Sequence, residues 1–62
     1  MTNERRILNY IAANPDRDDD EISAALEIRP RQQVNQICLR LSDARRITRF
    51  RGPRGKIVNR AT

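Results

Sequence analysis

Residues 30–41, PRQQVNQICLRL, decide how the rest of the chain is read. At about 100° per residue of an α-helix, Val34, Ile37, Cys38 and Leu41 fall on one side, while Gln32, Gln36, Leu39 and Asp43 centre on the other. Asn35 and Gln33 occupy the two shoulders of that outer face, and Arg40 lies beside Gln33. The stretch is therefore predicted as a helix from Pro30 to Ala44 or Arg45, with its apolar stripe inward and a carboxamide-rich patch outward, weighted toward the N-terminal half. Carboxamides bring no charge and little burial, so stability is a poor motive for gathering them here, and recognition a better one. The plainer alternative is a solvated face, since Gln is a good helix former.

The chain around this helix is short. At 62 residues it makes a single domain, residues 1–62, and a chain of that size buries only roughly 60% of the surface that it exposes when unfolded. Its one cysteine, Cys38, leaves no internal disulfide, and without histidine the usual zinc ligand sets cannot be assembled. No metal or other cofactor is expected. Cys38 falls on the inward stripe and is expected to pack as a small apolar group rather than to sense redox state. No apolar run approaches the roughly 18 residues of a membrane span. The first residues, MTNERRILNY, lack the apolar core of a secretory signal, and a reducing cytoplasmic setting suits the lone thiol.

Charge is divided unevenly along the sequence. Residues 1–28 carry three arginines against seven acids, a balance of −4, whereas residues 29–62 carry ten basic residues against Asp43 alone, a balance of +9. The two halves are expected to face different neighbours, the basic one a polyanion. An anionic membrane fits less well, because a membrane-surface helix wants bulky aromatics at its boundary and the chain has only Tyr10 and Phe50.

Thr2 to Ala13 places Ile7, Leu8 and Ile11 at helical spacing, and Asn14-Pro15 ends that helix because the residue before a proline is pushed out of the helical region. Asp18 stands three residues before Glu21 at capping-box spacing, and Asp19, Asp20 and Glu21 fall in the positive first turn of a short second helix that buries Ile22, Ala25 and Leu26. The acidic run lacks the spacing of a calcium loop and has no nucleophile near it, so helix capping accounts for it. Glu27-Ile28-Arg29 is a tight connection, and Pro30 fits the first position of the third helix. After it, ITRFRGPRGKIVNR changes to a strand period: Gly52-Pro53-Arg54-Gly55 is a β-turn joining strands Ile47–Arg51 and Lys56–Arg60.

A short helix, a brief turn and a longer helix with an exposed polar N-terminal half form the helix-turn-helix pattern, whose second helix enters the DNA major groove. There Gln or Asn can pair bidentately with adenine. Through EISAALEI, VNQICLRL, DARRITR and the basic hairpin RFRGPRGKIVNR, residues 4–60 resemble a winged helix-turn-helix domain of the kind found in multiple-antibiotic-resistance-type repressors and other small regulators. The resemblance implies an α+β fold, three helices followed by a two-stranded wing. It departs from the common pattern at Glu27, where glycine is frequent, and in a turn one residue longer. VNQICLRL also resembles the recognition helix of the winged helices that bind Z-form nucleic acid, with Asn35 at the asparagine position. Leu39 replaces the aromatic of that branch, however, and the wing has no tryptophan, so the two contacts that select the Z shape are missing.

The function expected is double-stranded DNA binding by a small transcriptional regulator, sequence-specific or sequence-tolerant, with no enzymatic activity because no nucleophile has a base beside it. The residues expected on DNA are Arg31, Gln32, Gln33, Asn35, Gln36 and Arg40 of the third helix and Arg49, Arg51, Arg54 and Lys56 of the wing, the cations on phosphates and the amides on base edges. The wing cations could instead guard a sheet edge. One winged helix has a small footprint, so self-association through the first two helices, or a partner, is expected for tight binding. The alternative is a protein-interaction winged helix anchored by Leu39, or a DNA-targeting module of a larger assembly.

Overall fold

The computed structural model describes residues 1–62. Helix α1 (Asn3–Ala13) starts where Thr2, in extended backbone, accepts a hydrogen bond from the Arg5 N–H at 3.1 Å, and it stops at Asn14 ahead of Pro15. It turns Ile7 and Ile11 fully inward. Strand β1 is only Arg17–Asp18 and leads straight into α2 (Asp19–Leu26). The capping box is formed as the spacing predicts: the Glu21 N–H donates to Asp18 Oδ1 at 2.8 Å, and the Asp18 N–H donates to Glu21 Oε1 at 2.9 Å.

The inner face of α2 differs from expectation. Ala25 is exposed and Ser23 is buried, its hydroxyl donating to the Ile28 carbonyl at 2.6 Å. The turn after α2 is the reason. Glu27 takes the left-handed conformation (φ 54°), the Ile28 N–H reaches back to the Ser23 carbonyl, and Ile28 is thereby folded into the core. Glutamate thus occupies the site where glycine is usual, at the steric cost that glycine avoids.

Helix α3 (Arg31–Asp43) begins one residue later than predicted. Pro30 is the cap rather than the first helical residue, and having no side-chain acceptor it makes no capping bond. At the other end Arg45 is left-handed (φ 61°), and the Arg45 and Arg46 N–H groups donate to the Ser42 and Leu41 carbonyls, both at 2.9 Å. This Schellman closure turns the chain sharply into the sheet.

Strands β2 (Ile47–Arg51) and β3 (Ile57–Ala61) form an antiparallel hairpin with Arg49 opposite Asn59 and Phe50 opposite Val58. At its tip the Gly55 N–H donates to the Gly52 carbonyl at 3.0 Å, which confirms the turn with Pro53 second and a left-handed Gly55 (φ 79°) fourth. Gly52 is required for a different reason: a Cβ there would lie 2.9 Å from a methyl of buried Val58. β1 adds to the free edge of β3, so the sheet order is β1-β3-β2 and the last strand in sequence is the middle one.

Nine residues fill the space between the helices and the sheet: Ile7, Ile11, Ile22, Ile28, Val34, Ile37, Cys38, Leu41 and Ile47. Each large side chain so buried stabilises the fold by roughly 1.5–3 kcal/mol relative to exposure. The inward stripe of α3 is therefore the one its periodicity predicts, and its amide face is held outward by the packing of that stripe.

Candidate nucleic-acid interface

On α3, Gln32, Gln33 and Gln36 are exposed, as are Leu39, which is 47% accessible, and Arg40, whose guanidinium lies 3.8 Å from Glu4 of α1. These five residues make one outward strip along the helix. Asn35 is drawn the other way. Its Nδ2 donates to Asp19 Oδ2 at 2.9 Å, across to α2.

The cations of the third helix and wing divide into two groups. Arg49 is interior, its side chain only 12% exposed. It donates from Nη1 to Asp19 Oδ1 at 3.0 Å and to Asn59 Oδ1 at 2.8 Å, and from Nη2 to Asp19 Oδ2 at 3.2 Å. Asn59 completes the hub by donating to Asp19 Oδ1 at 2.9 Å and to the Arg17 carbonyl at 3.0 Å. One carboxylate thus ties α2 to α3, β2 and β3, and no buried side-chain polar atom lacks a partner. Burial opposes the charge on Asp19, but hydrogen bonds from Arg49, Asn35 and Asn59 outweigh it, and the carboxyl is held below its ordinary range.

The second group stays at the surface. Arg54, at the hairpin tip, is 77% exposed and lies 3.8 Å from Glu21. Arg51 donates to the Gly55 carbonyl at 3.3 Å. Lys56 Nζ donates to Asp20 Oδ2 at 3.0 Å and lies 3.9 Å from Asp18, while Arg31, at the start of α3, donates through Nε to Asp20 Oδ1. The hydrogen bond from Lys56, then that from Arg31, lowers the Asp20 pKa, and the same contact raises that of Lys56. Arg60 grips Asp16 with two bonds of 2.9 and 2.8 Å and covers the Phe50 ring at 5.0 Å. A cleft of about 180 Å³ opens between wing and helix, lined by Asp18, Asp19, Asp20, Arg31, Asn35 and Lys56 among others.

The charge division of the sequence is consequently undone by folding. Seven of the eight ion pairs join an acid from residues 1–28 to a cation from residues 29–62; only Arg17–Glu21 does not. The two halves face one another, not separate neighbours. The acidic run does cap α2 through Asp18 and Glu21, but Asp19 and Asp20 serve as counter-charges, a role that local spacing does not reveal. Asp19, Asp20 and Asn59 are the important residues that sequence reasoning missed. The signal available for the hub was strand alternation, which puts Arg49 on the same face as buried Ile47.

No group of three metal-ligating side chains is assembled anywhere, and no helix is long and apolar enough to cross a membrane. Cys38 is buried, and that burial, with the Asp19 charge nearby, pushes its thiol up to about 12. The chain matches no protein-family model, no curated protein and no solved structure. Its architecture of three helices and a C-terminal hairpin is of the winged-helix type in general, and its exposed cations and amides are compatible with a binding module of that type.

Proposed function

We propose that this domain binds double-stranded DNA, with α3 in the major groove and the wing tip on the flanking backbone, as a small transcriptional regulator or its DNA-targeting part. The observation that carries the proposal is the outward strip Gln32, Gln33, Gln36 and Arg40, held rigid by the buried stripe behind it and flanked by the exposed wing cations. The groove, about 12 Å wide, admits a helix, and each bidentate amide–adenine pair discriminates by about 1–3 kcal/mol. Arg31, Arg51, Arg54 and Lys56 would hold phosphates and set the register. The ion pairs of Arg31 and Lys56 with Asp20 and of Arg54 with Glu21 are largely exposed, and such pairs are weak and screened by salt, so a phosphate can replace them. Arg49 and Asn35 are assigned a different part: bonded to Asp19, they fix the wing relative to α3 and do not touch DNA.

The test is a mobility shift with random duplex at two salt concentrations. Steep loss of binding with salt is expected. No shift at low salt would transfer the outer face of α3 to a protein partner, which the exposure of Leu39 favours as the second reading.

A further inference from the structure

Among the four consecutive acids 18–21, three have work inside the fold. Asp18 and Glu21 close the capping box, and Asp19 holds the buried hub. Asp20 has neither task. Its two oxygens are taken by two cations on different elements, Oδ1 by Arg31 at the start of α3 and Oδ2 by Lys56 on the wing. Both of those cations belong to the surface assigned above to the DNA backbone. The carboxylate is exposed, so it is not held there by packing, and at the second helical position it takes no part in the capping box.

We propose that Arg31 and Lys56 form a phosphodiester site whose occupant in the free protein is Asp20, and that DNA binding proceeds by exchange, a backbone phosphate taking both cations from the carboxylate. The inference rests on the DNA-binding proposal and adds to it a specific site and an internal competitor. A carboxylate and a phosphodiester each offer two oxygens to a pair of donors, so the site needs no rearrangement beyond release of Asp20. Two effects follow. Asp20 lowers affinity for any duplex alike, because it sits next to the incoming phosphate and repels it. It also flattens the salt dependence, because the freed carboxylate recruits a salt cation that offsets one of those released from DNA.

The experiment compares the protein with Asp20→Asn, Asp20→Ser and the charge-matched control Asp43→Asn, Asp43 being an exposed acid without an ion-pair partner at the far end of α3. Fluorescence anisotropy with a labelled random duplex is followed between about 50 and 200 mM KCl. Both Asp20 variants are expected to bind roughly threefold tighter at the lowest salt, as a unit charge within about 6 Å of a phosphate dictates near water's dielectric. Their log–log salt slope should steepen by about one. Asp43→Asn removes an acid from the outer face of α3 without freeing any paired cation, so it should tighten binding less than either Asp20 variant and leave the slope unchanged. Circular dichroism confirms that each variant is folded. If the Asp20 variants bind no more tightly than Asp43→Asn, the exchange is overturned while the DNA-binding proposal stands. If no form binds duplex at the lowest salt, both are overturned.

Discussion

Replacing Asp19 by alanine should be the most damaging single polar change in this domain. The carboxylate is 6% exposed and accepts from Asn35 at 2.9 Å, from Arg49 at 3.0 and 3.2 Å and from Asn59 at 2.9 Å. Without it the Arg49 guanidinium stays in the interior with Asn59 Oδ1 as its remaining side-chain acceptor. Stranding one member of a buried pair costs about 3–5 kcal/mol, and the bond retained to Asn59 places this site at the lower end, near 3 kcal/mol. A domain of this length has a total stability of roughly 3–9 kcal/mol, so the variant should lose a third or more of it. Urea unfolding followed by far-ultraviolet circular dichroism measures the loss. The double variant Asp19→Ala/Arg49→Met should be more stable than Asp19→Ala alone, since the stranded cation is removed too. A loss under about 1 kcal/mol, or a double variant worse than the single, would refute the account of the hub. Acid provides an independent arm. Because the folded pKa of Asp19 is lowered, its stabilisation is complete above the ordinary value of about 3.9 and disappears as pH falls through the folded value. Asp19→Asn should therefore show a flatter acid limb than the parent.

Four further outcomes are expected. Arg54→Ala should weaken all duplex sequences alike and reduce the salt slope by about one, whereas Gln36→Ala should mainly relax base preference; identical behaviour of the two in titrations would remove the division of labour. Glu27→Gly should raise stability by about 0.5–1 kcal/mol in urea titration, since it relieves a left-handed glutamate at the expense of some unfolded-state entropy. Gly52→Ala should cost about 1–2 kcal/mol in the same assay, because its methyl would press on Val58. Cys38 should resist a thiol-directed reagent at about pH 8 until the protein is unfolded, its thiol being buried and kept protonated.

What could be read from the sequence was whatever depends on near neighbours. The stripe Val34, Ile37, Cys38 and Leu41, the Asp18–Glu21 box and the Gly52–Gly55 turn are each set by residues within one or two turns of one another, and all three appear as predicted. β1 was missed because two residues carry no period, and they become a strand only because β3 lies alongside. The exchange of Ala25 for Ser23 on the inner face of α2 follows from the left-handed Glu27, whose backbone a glutamate does not announce. The exposure of Gln32, Gln33, Gln36 and Arg40 follows from the period of α3, but nothing local shows that Asn35 on that helix and Arg49 on the wing turn to Asp19. Asp19 and Arg49 are thirty positions apart, and whether an arginine on a hairpin meets solvent or a buried carboxylate is decided by tertiary packing. The same holds for the acidic half as a whole, which sequence order separates from the cations that it neutralises.

The strand order has a consequence for synthesis. Residues 57–61 hydrogen-bond to β1 on one side and β2 on the other, and they supply Asn59 to the hub. A ribosome therefore delivers the keystone last: the helices can coil as they emerge, but neither outer strand has anything to pair with until these five residues clear the exit tunnel. The sheet of this domain is therefore an event that waits for residues 57–61 to reach the open, whatever follows them in the polypeptide.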